Sequence, residues 1–181
     1  MDTETLEGRR RRAVRHFASG VAVLTVVDDS GTPHGTTVSA VTAISREPLL
    51  LGVCLRLNSA FARRVRDGGR FTVNVLRSDQ YATARWFADP ARPAGTAQFR
   101  DVAWETDALT GAPTLTGSLA TLGCQLVERL ALGDHDLLVA QVLAGSASWG
   151  SPLLSYAGRL HDGDLHSMAP DSSELTVRSS R

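Results

Sequence analysis

The 181-residue chain is long enough for one domain with a sizeable core, and 43% of its residues are hydrophobic. Its 19 Lys and Arg are balanced by 19 Asp and Glu, which argues against a long-range pull toward nucleic acid or an anionic membrane and leaves any anion binding to local groups. No stretch has the length of a membrane span and the N-terminus carries no apolar signal core, so the expectation is an unexported protein of a reducing cytoplasm.

In chain order, residues 1–16 open as an amphipathic helix, with Leu6, Ala13, Val14 and Phe17 on one face and Arg9 to Arg12 and Arg15 largely elsewhere. In a neutral chain that arginine run reads as a solvated face, not as a nucleic-acid patch. Ser19-Gly20 stops the helix, and the β-branched run Val21 to Val27 ends at Asp28-Asp29-Ser30-Gly31, the chemistry of a hairpin turn. The next strand is expected over Gly35 to Ile44, followed by a break at Arg46-Glu47-Pro48 and a fully buried strand over Leu49 to Leu55. Cys54 and Cys124 both lie in apolar stretches and read as reduced core thiols, not as a disulfide or a metal pair.

A short basic helix, Phe61 to Arg66, stops at Gly68-Gly69. Phe71 to Val75 then alternates apolar and polar residues, the period of a strand with one wet or ligand-facing side. Asp79 is expected to cap a helix running to about Phe87, which Pro90 and Pro93 end. Residues 91–117 are loop-rich and wrap the barrel, with no firmer placement. Strands over Leu119 to Leu132 and Leu137 to Ala144 flank Gly133-Asp134-His135-Asp136, and one last short strand lies within Pro152 to Arg159. Six or seven short strands joined by tight turns predict a mainly β, antiparallel barrel with a few short helices. The domain spans 17–162, between the helix of 1–16 and a polar tail, 163–181. With no alternation of strands and helices, no G-x-G-x-x-G and no G-x-x-x-x-G-K-[ST], a Rossmann or P-loop nucleotide site is not expected.

Two segments carry candidate chemistry. Leu57-Asn58-Ser59-Ala60 joins the buried strand to the basic helix, and Asn58 or Ser59 can cap that helix through a side-chain oxygen. The dipeptide alone reads as a plain cap; Arg56, Arg63 and Arg64 beside it favour a phosphate, which guanidiniums clamp bidentately. Upstream, Thr36-Thr37-Val38-Ser39 sets hydroxyls on both faces of a strand, either an ordinary half-exposed strand or a surface for a ligand rich in acceptors. His135 sits where a hairpin turns, and a turn histidine is ordinarily just exposed; overhanging a cofactor, it can orient a substrate or shuttle a proton. His16, His34, His161 and His166 show no metal-ligand spacing, so no metal is assigned. No G-x-S-x-G supports a serine nucleophile.

Taken in order and spacing, the segments Phe17 to Thr25, Gly35 to Ser45, Pro48-Leu49 leading into Cys54 to Ser59, Phe71 to Leu76, Gly133 to His135 and Pro152 to Tyr156 resemble the flavin reductase family. These are FMN-binding split-barrel proteins that supply reduced flavin to two-component monooxygenases, and the resemblance covers about Phe17 to Leu160. It implies that Thr36, Thr37, Val38 and Ser39 line the flavin ring and ribityl chain. Cys54, Leu55, Arg56 and Leu57 would pass beneath the ring, and Asn58 and Ser59 would take the phosphate, with Arg64 beside them. His135 and Tyr156 would lie at the face where the nicotinamide stacks, with Ser39 near the ring edge and His135 as the catalytic candidate. The flavin would be FMN or FAD and the donor NADH or NADPH. The implied assembly is a homodimer with a partner monooxygenase, with neither nucleic acid nor membrane. The same fold also accommodates a protein with tightly held FMN acting on its own substrate, or a non-enzymatic binder. Two departures stand out: Glu47-Pro48 replaces the family's common double proline, and the tail past His161 is unmatched.

Overall fold

The computed structural model describes residues 5–165. In chain order the elements are α1 (Leu6–Val14), β1 (Ser19–Gly20), β2 (Ala22–Val27), β3 (Pro33–Val38), β4 (Val41–Arg46), β5 (Leu49–Arg56), α2 (Ala60–Arg64) and β6 (Arg70–Val75). Then follow α3 (Tyr81–Ala88), β7 (Trp104–Thr106), β8 (Pro113–Leu115), β9 (Ala120–Leu132), β10 (His135–Ala147), β11 (Leu153–Tyr156) and β12 (Arg159–Asp162), with short 3-10 turns at Ser78–Gln80 and Gly95–Phe99. Seven strands form one antiparallel sheet in the order β3-β2-β6-β9-β10-β5-β4, beside a three-stranded sheet β1-β11-β12 and the pair β7-β8. Among the described residues no helix is long and apolar enough to cross a membrane.

The single strand expected over Gly35 to Ile44 is two strands, and the break between them shapes the molecule. β3 pairs with β2 at one edge of the large sheet and β4 pairs with β5 at the other. A flat seven-stranded sheet would separate its edges by about 29 Å at ~4.8 Å per strand. Yet Ser39 and Ala40 alone join β3 to β4, and three Cα steps of ~3.8 Å reach at most about 11 Å. The sheet therefore rolls until its edges approach, leaving a seam between β3 and β5, and the Cys54 N–H donating to the Ala40 carbonyl at 3.0 Å pins the link to β5. No glycine or proline marks the switch, so hydrophobic period alone runs the two strands together.

Rolling gives β2 two buried faces. Ala22, Leu24 and Val26 enter the interior with Val53, Phe61, Phe71, Val73, Leu126 and Leu138. Val21 and Val23 pack outward with Leu76, Phe87, Phe99, Leu115 and Leu153 under α3. Strands buried on both faces read as continuous apolar runs, as this one does. β6 departs from its expected wet side: Thr72 and Asn74 are wholly buried. Segment 107–115 covers them, with the Asn74 Nδ2 donating to the Val23 carbonyl at 3.1 Å, its Oδ1 accepting from Leu115 N–H at 2.8 Å, and Thr72 bonded to Thr110 at 2.7 Å.

Other boundaries differ from the expected ones for local reasons. The helix before Phe87 begins with a 3-10 turn, and Asp79 pairs with Arg77 instead of capping it. α2 spans Ala60–Arg64, not Phe61 to Arg66. The last strand is a hairpin, β11 and β12, turning at Ala157-Gly158. α1 exists but buries none of its residues; Leu6, Val14 and Phe17 face outward, so its apolar stripe finds no partner within the described chain. Of the polar tail 163–181, residues 166–181 lie outside the described residues.

Candidate functional site

The seam carries two adjoining clefts. One, of about 680 Å³, is lined by Ser39 to Thr42 of the β3–β4 link, by Gly52 and Cys54 of β5, and by Phe17 to Gly20 and Ser155. The other, of about 700 Å³, is lined by His34, Thr36 and Thr37 of β3, Arg56 at the end of β5, Phe61 and Arg64 of α2, and Arg92 with its flanking prolines. Gly52, Cys54 and Arg56 alternate onto one face of β5, and two residues of strand advance only about 6.6 Å. The two clefts thus adjoin along β5, with hydroxyls, a thiol and Arg15 at one end and Arg56, Arg64 and Arg92 at the other.

Cys54 is exposed on that face, while Cys124 is buried and its thiol is pushed up to about 12 by burial. The core-thiol expectation holds for Cys124 only. An apolar run does not disclose which alternate side chains meet a groove, and the seam leaves one face of β5 uncovered. Leu49 is likewise exposed at the start of the strand expected to be fully buried.

The basic cleft is built by three connections. α3 closes over β3 because Gly35 has no side chain: a Cβ there would lie 2.6 Å from the Phe87 ring. Gln98 then ties residues 95–99 to the exposed edge of β3, its Oε1 accepting from Gly35 N–H at 2.9 Å and its Nε2 donating to the Pro33 carbonyl at 3.2 Å. Arg92, between these anchors, donates to the carbonyls of Gly35 and Asp89. On the opposite wall Arg64 donates to the Ala60 carbonyl at 2.8 Å, and its Nε stands 3.6 Å from Asp28 Oδ2, beyond hydrogen-bonding reach. The Nε atoms of Arg64 and Arg92 are both buried without a hydrogen-bond partner, a costly state that the ion pair with Asp28 offsets for Arg64. His34 is only 8% exposed; burial, then Arg64, Arg92 and Arg63, push its imidazole down to about 4, with Asp28 opposing.

The residues anticipated from sequence divide by what holds them. Thr36 faces the basic cleft. Thr37 also lines it, but its hydroxyl is committed to the Ala84 carbonyl at 2.8 Å. Val38 and Leu55 are buried in the interior core and line neither cleft. Ser39 and Cys54 meet in the neighbouring cleft. The Leu57 N–H donates to the Asp134 carbonyl at 3.0 Å, fastening the end of β5 to the β9–β10 turn. Asn58 has φ of 58°, a left-handed conformation that asparagine tolerates better than most residues, and its carbonyl accepts from Arg63. Ser59 Oγ accepts from Ala62 N–H at 3.1 Å, a helix cap.

His135 begins β10 opposite Arg56 of β5, and its Nδ1 lies 2.8 Å from Asp134 Oδ1. That hydrogen bond and the charge of His135 lower the Asp134 carboxyl. Tyr156 belongs to the other sheet, edge-on to His16 at 5.7 Å and near His161 at 6.0 Å, one residue from Ser155 in the first cleft. Sequence reasoning passed over His34 and Arg92. The available signals were a histidine preceding the hydroxyl-rich run, weighed only for metal-ligand spacing, and an arginine held between Pro90 and Pro93.

A family model described as the flavin reductase like domain matches residues 14–164, most of the chain. The chain is 44% identical over 153 residues to an NADPH-flavin oxidoreductase of Streptomyces viridifaciens, covering 84% of this chain and 78% of that protein. It is 39% identical over 149 residues to the reductase component of a 4-nitrophenol 4-monooxygenase/4-nitrocatechol 2-monooxygenase of Rhodococcus opacus, covering 82% and 77%. Among solved structures, BorF, the flavin reductase component of a bacterial two-component tryptophan halogenase, superposes with a TM-score of 0.79 at 32% identity, covering 86% of this chain and 97% of that one.

Proposed function

The chain belongs to the flavin reductase-like domain family, and we infer that it is an NAD(P)H:flavin oxidoreductase that takes FMN or FAD and supplies reduced flavin to a partner monooxygenase. The observation that carries this reading at the level of residues is the pair of adjoining clefts along the seam groove. An amphipathic ligand with a flat ring and a phosphate tail fits them end to end: the ring over Ser39 and Cys54, the tail between Arg56 and Arg64. Arg56, Arg64 and Arg92 line the tail end with no carboxylate among the lining residues, which suits an anion.

A flavin held there would supply the hydride acceptor for NAD(P)H, and the residues of this chain position and polarise the reacting groups. Ser39 and Cys54 shape the ring end of the groove. Thr36, Arg56 and Arg64 hold the phosphate end. Ser59 acts with them, because its Oγ uses a lone pair on Ala62 N–H and keeps its own proton for a ligand oxygen. The hydrogen bond from Leu57 to Asp134 holds His135, itself bonded to Asp134, beside Arg56 at the end of the same strand, where it bounds the approach of the nicotinamide donor. Tyr156 flanks the ring end from β11. The open groove suits a flavin that exchanges, since both Cys54 and Arg56 are exposed along its length. The working form is a homodimer in the cytoplasm.

The test is the loss of nicotinamide absorbance when the purified protein meets NADH or NADPH with and without FMN, FAD or riboflavin. Turnover that requires added flavin is the expected result. Turnover without added flavin, by a yellow protein, would instead identify a tightly held flavin; flavin binding with no turnover would leave a binder.

A further inference from the structure

The basic cleft offers more room and more charge than one terminal phosphate uses. Arg56 and Arg64 stand on the β5 and α2 wall, whereas Arg92 stands on the facing wall, carried by the segment between Pro90 and Pro93. Three features set Arg92 up as a ligand group. The flanking prolines and the Gln98 anchor hold its segment against β3. Two of its donors are spent on the carbonyls of Gly35 and Asp89, which fixes the plane of the guanidinium. Each terminal nitrogen keeps a second hydrogen for a ligand in the cleft that Arg92 lines. The charged and titratable groups around it are His34 on the floor, held neutral, Arg56 and Arg64 across the cleft, and Asp89 behind it; none of the residues lining the cleft is acidic.

Resting on the reading of this cleft as the flavin phosphate site, we propose that Arg92 is the residue that sets flavin size, binding the second phosphate of FAD. A mononucleotide phosphate reaches the Arg56 and Arg64 wall alone. A pyrophosphate spans the cleft and engages both walls, and the remaining volume beside Ala88 and Ala94 takes the attached nucleoside. A second phosphate in this cleft can also come from the nicotinamide dinucleotide, so the experiment separates the two sources.

Riboflavin, FMN and FAD are titrated into the full-length protein, with binding followed by quenching of flavin fluorescence, for the wild type, Arg92→Ala, Arg92→Gln and Arg92→Lys. The wild type is expected to prefer FAD over FMN. Arg92→Ala and Arg92→Gln each weaken FAD at least tenfold and FMN less than twofold, and Arg92→Lys recovers part of the loss through its charge without the planar fork. Melting temperatures verify folding, and the FAD-to-FMN ratio is a readout that a purely structural role of Arg92 would not move. Equal weakening of FMN and FAD, or a wild type without FAD preference, overturns the proposal while leaving the groove as the flavin site. Unchanged FAD binding with a tenfold higher KM for NADPH or NADH also overturns it and gives Arg92 to the nicotinamide dinucleotide. A wild type that binds no flavin removes the reading of the groove itself.

Discussion

Burial and three guanidiniums keep the His34 imidazole neutral where an exposed histidine would titrate near 6.5. Its folded pKa, about 4, lies below the unfolded value, so between those values the unfolded chain binds more protons and stability falls as pH falls. The contribution is present in full above pH 6.5 and lost as pH drops through about 4; a shift of this size is worth about 3 kcal/mol. His34→Gln is expected to flatten the plot of melting temperature against pH between 4 and 6.5, measured without ligand. An unchanged slope would mean that the ring already meets water. Ser59 gives a second prediction at this scale. Removing its hydroxyl costs about 1 kcal/mol as a lost cap, and it should also weaken FMN more than riboflavin, which has no phosphate. A stability loss in urea titration with FMN and riboflavin weakened alike would reduce Ser59 to a cap.

Single elements were most legible where one physical signal fixed them. The Asp28 to Gly31 turn, the apolar runs of β2 and β5, and the Gly133-Asp134 turn between β9 and β10 all stand where their residues place them. What was not legible depends on partners distant in sequence. Nothing between Gly35 and Ile44 announces that β3 and β4 lie at opposite sheet edges, because the switch at Ser39-Ala40 needs no special residue. Thr72 and Asn74 looked wet because the segment that buries them, 107–115, had no assignable place. The groove was half legible for the same reason: Thr36, Ser39, Arg56 and Arg64 lie on recognisable strands and helix, while Arg92 rides on a connection whose position Gln98 decides. That dependence is testable. Gln98→Ala leaves the Gly35 N–H and Pro33 carbonyl unsatisfied at a buried edge, a cost of about 1–3 kcal/mol for each such group. It should also lower flavin affinity with Arg92 intact, as fluorescence titration beside a denaturation curve would reveal. Normal affinity in a destabilised variant would show that Arg92 holds its place without the anchor.

For the molecule as a whole, part of the exposed apolar surface lies where the rolled sheet ends. Ile44 and Leu49 are 49% and 47% exposed on the β4–β5 hairpin, and β4 is an edge strand with its outer ladder unpaired among the described residues. Such an edge invites pairing unless something covers it. The groove adds a reason for a second copy to do so, since Val41 and Thr42 of β4 also line the end of the groove proposed for the flavin ring. A dimer built on this edge would complete that site, and dimerisation and flavin binding would then be coupled. Sedimentation velocity should give close to twice the chain mass of 19.3 kDa. Ile44→Lys combined with Leu49→Lys should shift the protein to monomer and weaken flavin binding in parallel, because both act through one edge. A monomeric wild type would remove the dimer. A dimer that survives both lysines would move the interface to the exposed Val127 and Leu132 of β9 and uncouple it from the flavin.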